Sequence, residues 1–325
     1  MKSVIVGYGN IGKKRHKIIE ENKIFDVKAI VEINNLNIKN LKESKNFKIF
    51  NSLENFFKSK IDVNIAIVCV NPKFSYKICQ KLLNNKINIF IEKPPFFNFK
   101  EYKNILSIAS KNKLLVKIGY NFLEDQNYKF VKEKLNYIGE IYNIKMSYKY
   151  GTNLVNKNFI GSFMDVGIHL ISILNDLFEN FKISLIYINK YEKNFDEWGI
   201  ILCKCKKIDI ILEHSLVNHS NEFNFEIVGQ KGKITWEGLS KWGQGSTKIF
   251  KRKIPSGKPI LKNQKVYRID KSFKKELNKL KTILANKNKF LVSNQKDFKM
   301  INKISKFFIT KTKNRPNNIP KYFYE

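Results

Sequence analysis

The stretch VIVGYGNIG at residues 4–12 limits what this chain can fold into more than any other. An apolar, β-branched run stops in a turn with glycine at positions 7, 9 and 12. It then continues as IGKKRHKIIEEN, whose apolar spacing is helical. Between a strand and a helix, each glycine of such a turn has its own task. Gly7 permits the tight turn, Gly9 lets backbone approach a pyrophosphate, and Gly12 lets helix and strand pack closely. The N–H groups opening the helix, at Asn10, Ile11 and Gly12, would hold the anion. Glu32 stands twenty residues past Gly12, at the end of the next apolar run FDVKAIVEI, where a carboxylate accepts hydrogen bonds from ribose hydroxyls. A carboxylate there repels a 2′-phosphate, and Ile33, Asn34 and Asn35 supply no arginine to receive one. NAD is therefore favoured over NADP, with lysines such as Lys39 keeping NADP as the lesser alternative.

Strand and helix patterns alternate through the first 121 residues. VNIAIVCV is a continuous β-branched run suited to a central strand buried on both faces. PKFSYKICQKLLNNK opens with Pro72 in the first helical turn, where proline is tolerated. INIFIEKP, FKEYKNILSIASKN and LLVKIGY follow as strand, helix and strand. The expectation is an α/β, Rossmann-type parallel sheet over residues 1–121. From 122 to 325 the expectation is an α+β domain. EIYNIKMSYKY, KISLIYINKY, GIILCKCK, IDIILEHSLV, EFNFEIVG and KITWEG read as strands of a mostly antiparallel open sheet. One helical segment at about 162–178 interrupts them, and two more, at about 272–286 and 295–311, precede a tail, RPNNIP, that breaks regular structure.

Composition narrows the classes. At 325 residues and 43% hydrophobic, the chain can bury two cores. No window approaches the roughly 18 apolar residues of a membrane span. The N-terminus lacks a signal-peptide pattern, so the expected location is the cytoplasm. The net charge of +33 comes from lysines spread along the whole chain, together with abundant asparagine and isoleucine, while arginine is scarce. That is the mark of A/T-rich codon usage rather than of a dedicated nucleic-acid surface. Cys69, Cys79, Cys203 and Cys205 form no metal-ligand spacing, so no metal is expected, and they read as thiols in a reducing compartment.

Two further stretches carry chemistry. FMDVGIHL at 163–170 sets Asp165 and His169 four residues apart in an apolar helix, where residues at that spacing share a face. Taken alone, the pair reads more readily as a satisfied polar contact in a core. IFIEKPP places Glu92 and Lys93 at the carboxyl end of a strand, the side on which parallel sheets bind ligands.

Together GYGNIG with RH close behind, EKP after its strand, GYNF at 119–122 and DVGIH resemble the Gfo/Idh/MocA family of oxidoreductases, and the resemblance spans the chain. It implies a first domain that binds NAD(P) and a second whose open sheet serves oligomerisation. Lys93, Asp165 and His169 match the family's residues around the reacting carbon. Asn71 and Pro72 match the loop beside the cofactor, which Glu92 would also border, and Asn121 of GYNF falls on the substrate side. Tyr76 stands where the family often has histidine, and Leu123 and Glu124 stand where an arginine is common. The implied activity is hydride transfer to or from a hydroxyl carbon of a polyol, sugar, cyclitol or sugar nucleotide. In it His169 is the proton-transfer group, Lys93 steadies charge and Asp165 orients substrate and tunes His169. Gly167 would let backbone approach cofactor or substrate. The alternative is a non-catalytic NAD(P)-sensing regulator of the same fold. Lys241 and Trp242, in the glycine- and lysine-rich stretch 238–259, are further candidate sugar or phosphate contacts, against a plain solvated hairpin.

Overall fold

The computed structural model describes residues 1–39, 41, 46–96, 99–151, 160–255 and 257–311; the tail RPNNIP lies outside them. The chain divides into two compact units. Among the described residues, the first comprises Met1–Tyr120 with Phe273–Asn302, and the second comprises Asn121–Ser272 with 303–311.

The first unit is built on β1 (Lys2–Val6), β2 (Asp26–Val31), β3 (Lys48–Phe50), β4 (Ile65–Val68), β5 (Asn88–Glu92) and β6 (Val116–Gly119). They form one six-stranded sheet in the order β3-β2-β1-β4-β5-β6, parallel throughout. That order reverses direction at β1 and β4, and such a switch point opens a crevice at the carboxyl ends of the strands. Ile65, Ala66, Ile67 and Val68 are all at 0% exposure. Each large aliphatic side chain so placed contributes roughly 1.5–3 kcal/mol. The crossovers are α1 (Asn10–Glu21), α2 (Asn35–Ile38), α3 (Leu53–Lys58), α4 (Pro72–Asn84) and α5 (Phe99–Lys111). Ser52 caps α3 and Asn71 caps α4, each through its side-chain oxygen.

The single break expected after residue 121 is refined by the C-terminal region. α8 (Ser272–Leu284) carries an apolar stripe, Leu277, Leu280 and Leu284, that packs in one core with Ile5, Ile19, Phe25 and Ile30. The stripe itself is legible in the sequence, but which core receives it is not. α9 (Lys289–Lys311) follows.

The second unit contains an eight-stranded sheet ordered β14-β13-β12-β11-β7-β10-β9-β8. Its strands are β7 (Ile141–Lys149), β8 (Lys182–Asn189), β9 (Trp198–Cys205), β10 (Ile208–Ser215), β11 (Glu222–Gly229), β12 (Gly232–Glu237), β13 (Gly245–Lys251) and β14 (Ile260–Tyr267). Only β7 and β10 pair in parallel. One face is closed: Ile144, Met146 and Tyr148 of β7 are buried, while Lys145 between them is exposed. α6 (Gln126–Lys134), capped by Asp125, and α7 (Ile168–Leu177) complete the unit.

Besides the three-residue β3, three elements depart from the sequence-based expectation. α6 has a polar pattern. β14 is exposed along nearly its whole length and joins the sheet through its main-chain ladder to β13, so it shows no alternation. Together β13 and β14 make the hairpin that 238–259 begins. The third is a π turn over Phe163–Gly167, where the expectation was one helix from 162 to 178.

Candidate functional site

In the first unit, the glycine loop has the shape its sequence implies. Gly7 has φ +87, and a Cβ there would stand 2.7 Å from the Cys69 carbonyl oxygen. A Cβ on Gly12 would stand 2.1 Å from the Gly7 oxygen. Gly9 differs: nothing lies within 4 Å of its Cβ position. Packing demands glycine at 7 and 12, and the space at 9 is open. Gly9 is also the N-cap of α1 and makes no side-chain cap, and the first main-chain bond within the helix is Lys13 N–H to Gly9 O, at 2.9 Å. Asn10 and Ile11 are exposed. An uncapped helix start beside open space fits a dinucleotide pyrophosphate.

Glu32 is 7% exposed and braces this loop. Its Oε2 accepts from Tyr8 N at 2.6 Å and Asn37 Nδ2 at 3.1 Å, and its Oε1 accepts from Asn34 N at 2.8 Å. Three protein donors thus share a carboxylate with about four acceptor sites, so roughly one remains for a ribose hydroxyl.

The RH pair behind the glycines explains itself in the structure. His16 Nδ1 lies 2.7 Å from Tyr8 Oη, which ties α1 back to the loop, and its Nε2 lies 3.2 Å from Glu20. Burial is the main cause lowering the His16 pKa. Arg15, at 0% exposure, donates through Nε to Glu92 at 2.6 Å and bridges to Glu276 at 2.7 Å, lying over the rings of Phe90 and Phe273. Burial works against the guanidinium charge, and Glu92 and Glu276 more than offset it. Glu92 thus holds Arg15 through its Oε1. Lys93 is half-buried next to it. Ser75 Oγ of α4 donates to Pro95 O and anchors the far side of that loop. Asn71 turns its Oδ1 to Lys73 N, at 3.0 Å, as the cap of α4. Tyr76 accepts a hydrogen bond from Asn104 Nδ2.

In the second unit, His169 is 5% exposed and its ring stacks on Phe122, with centroids 4.3 Å apart. Tyr148 meets the same imidazole edge-on at 5.8 Å. Lys241 Nζ donates to Tyr148 Oη at 2.7 Å and Tyr150 Oη at 2.9 Å, and lies 4.9 Å from the Trp242 ring centroid. The Tyr150 hydroxyl is pushed up to about 12, by burial first, with Asp165 adding to the effect. Tyr148 moves the same way for the same leading cause, again with the Asp165 charge contributing. Asp165, His169, Lys241 and Trp242 thus gather around the Tyr148–Tyr150 pair. Asn121 donates through Nδ2 to Ser272 Oγ at 3.0 Å. A Cβ on Gly167 would come within 3.1 Å of the His214 ring.

Tyr148 and Tyr150 carry no sequence motif, and Phe122 and Arg15 enter from sequence only as members of GYNF and RH, without a role. The alternation Met146, Tyr148, Tyr150 was the available signal for the two tyrosines. Among the described residues, no group of three or more His, Cys, Asp or Glu is placed to hold a metal, and no helix is long and apolar enough to cross a membrane.

A parallel 3-2-1-4-5-6 sheet bearing this loop, in one chain with a second unit whose π turn and α7 carry Asp165 and His169, has the architecture of a dinucleotide-binding oxidoreductase. The chain belongs to the Gfo/Idh/MocA oxidoreductase family, matching its NAD-binding Rossmann fold over residues 1–120 and its C-terminal alpha/beta domain over 132–279. It is 23% identical over 280 residues to glucose-6-phosphate 3-dehydrogenase of Bacillus subtilis (strain 168), covering 77% of each chain. KijD10, a 3-ketoreductase from Actinomadura kijaniata solved with NADP, shares the fold with a TM-score of 0.78 at 15% identity, over 92% of this chain and 94% of that one. An oxidoreductase from Agrobacterium radiobacter, solved with NAD+, L-tartaric acid and magnesium, gives 0.79 at 13% identity over 97% of both.

Proposed function

We propose that the protein is an NAD-dependent oxidoreductase acting on a hydroxyl carbon of a sugar, cyclitol or sugar nucleotide. The observation that carries the reading is the setting of His169. An imidazole against Phe122, with Asp165, two phenols and the Lys241 ammonium around the same aromatic group, offers proton transfer beside rings and donors of the kind that hold a sugar. The B. subtilis relative, by its name a sugar-phosphate dehydrogenase, supports the substrate class.

The dinucleotide, when bound, supplies the two-electron partner of the reaction. The α1 start and the glycine loop would hold its pyrophosphate, and Glu32 would take a ribose hydroxyl and disfavour a 2′-phosphate. His169 removes the hydroxyl proton in oxidation and returns it in reduction. Lys93 steadies the negative charge that develops on that oxygen, and Asp165 orients the substrate and the imidazole. Lys241 and Trp242 contact the rest of the sugar.

Self-association through the open face of the second sheet belongs to the same proposal. Leu185, Leu202 and Ile211 lie in one row across β8, β9 and β10, with Leu185 43% and Ile211 40% exposed. The four free cysteines favour a reducing compartment such as the cytoplasm.

The test is purified protein with NAD+ and a panel of sugars, sugar phosphates, cyclitols and sugar nucleotides, read as NADH absorbance. Lys93→Met and His169→Ala are each expected to lower kcat by about 10²–10⁴-fold. If no panel member is oxidised, or if both variants keep the full rate, the reading fails.

A further inference from the structure

A buried polar chain in the second unit has no part in the chemistry described so far. Asp196, Ser162 and His214 are each at 0% exposure. Ser162 Oγ lies 2.9 Å from Asp196 Oδ2 and 2.8 Å from His214 Nδ1. Counting protons gives the direction of each bond. A serine hydroxyl has a single proton, and an ionised carboxylate only accepts. The Ser162 proton therefore goes to Asp196, and His214 must donate its own Nδ1–H to Ser162 Oγ. His214 is then the neutral Nδ1–H tautomer, with its Nε2 buried and without a hydrogen-bond partner. Burial pushes the imidazole down to about 3, in agreement with that assignment.

This chain grips the π turn at both ends. At the start, Asp196 Oδ2 accepts from Phe163 N at 2.6 Å, and Asp196 O accepts from Ser162 N at 2.7 Å. The Phe163 amide is one of the donors that a helix start leaves without an internal partner. Gly161, at φ +83, clears the way: a Cβ there would stand 2.0 Å from Asp196 Oδ1. At the other end Gly167 rests on the His214 ring, and Phe163 meets that ring edge-on at 5.8 Å. Asp165 lies between the two grips, and His169 comes two residues after the second. A π turn is seldom a stable arrangement by itself and concentrates at functional sites.

We propose that Asp196, Ser162 and His214 are positioning residues that hold the π turn Phe163–Gly167 in the arrangement presenting Asp165 and His169 to the substrate. The inference rests on the function proposed above. A displacement of about 1 Å at reacting groups can lower a rate about 10²-fold.

The test compares His214→Asn, His214→Leu and Ser162→Ala in the full chain. Asparagine sets an amide nitrogen where Nδ1 stands and can keep the donor; leucine keeps bulk without it. Two readouts are taken: kinetics on an active panel substrate, and hydrogen exchange of amides 161–170 by mass spectrometry. His214→Leu and Ser162→Ala are expected to lower kcat about 10²-fold, to leave the KM for NAD+ unchanged and to speed exchange in that segment. His214→Asn should stay within a few-fold of wild type on both. If His214→Asn loses as much rate as His214→Leu while its exchange stays normal, His214 acts in the chemistry itself and the proposal is overturned. Unchanged exchange in all three variants overturns it equally. Should His214→Leu fail to fold, Ser162→Ala breaks the same link by loss of one atom. If wild type oxidises nothing on the panel, the proposed function falls alone, and the exchange comparison still decides whether these residues hold the turn.

Discussion

Replacing Arg15 with methionine isolates the buried ion cluster behind Lys93. The substitution keeps an unbranched side chain between Phe90 and Phe273 and removes the charge that serves Glu92 and Glu276. Deleting one partner of a buried pair costs about 3–5 kcal/mol, because the remaining charge is left without compensation. At about 2–4 °C per kcal/mol, Tm at pH 8 should fall by roughly 6–20 °C. The loss must also depend on pH. Glu276 is pushed up to about 7, by burial first and by Glu92, with Arg15 pulling the other way. A carboxyl raised in the folded state contributes stability that is complete below its unfolded value and is lost as pH rises through its folded value. In the wild type that window runs from about 4.5 to about 7. Without Arg15 the folded value rises further, and the loss continues above pH 7. At pH 5.5 Glu276 is already protonated in both proteins, so the deficit of the variant should be smaller there by about 1–2 kcal/mol, at 1.36 kcal/mol for each unit. Thermal unfolding of both proteins at pH 5.5 and pH 8 decides the matter. A deficit of only a degree or two, or one of equal size at both pH values, refutes the reasoning.

The remaining predictions use other parts of the molecule. Gly12→Ala forces a Cβ against the Gly7 carbonyl, whereas Gly9→Ala meets open space; both should weaken NADH binding about tenfold or more, but only Gly12→Ala should also lower Tm, and fluorescence titration with thermal melts separates the two. If Glu32 disfavours a 2′-phosphate as proposed, Glu32→Gln should narrow the ratio of Kd values for NADP+ and NAD+ about tenfold, or about 1.4 kcal/mol; an unchanged ratio removes Glu32 from cofactor choice. Because His214 is depressed to about 3 in the folded state, its contribution is complete above about 6.5 and is lost as pH falls toward 3; His214→Asn should flatten the acid side of the stability curve, measured by urea unfolding from pH 7 to pH 4.

Much of the first unit is legible in the chain because its signals are local. The glycine turn, the β-branched run VNIAIVCV and Pro72 each act within a few residues, and a parallel sheet follows from strand–helix alternation, while its 3-2-1-4-5-6 order comes from the structure. The polar strand β14 was not legible, since it is held by ladder hydrogen bonds rather than by an apolar face. At the site, the residue types Lys93, Asp165 and His169 stand out in their motifs. Their supports do not, because Arg15, Glu276, Ser162, Asp196 and His214 are ordinary residues until folding sets them against one another.

The sequence by itself determined the glycine loop, its acid at Glu32 and the strand–helix alternation of the first unit, since turn chemistry and apolar periodicity depend on near neighbours; the family followed from the resemblance of its motifs. Only the tertiary structure decided what Glu32 and Glu92 hold, which core takes the stripe of α8, and that FMDVG winds as a π turn. The physical reason is the same in each case. Burial makes an uncompensated charge or an unfilled space costly, and the partner that removes the cost comes from a segment far away in the chain.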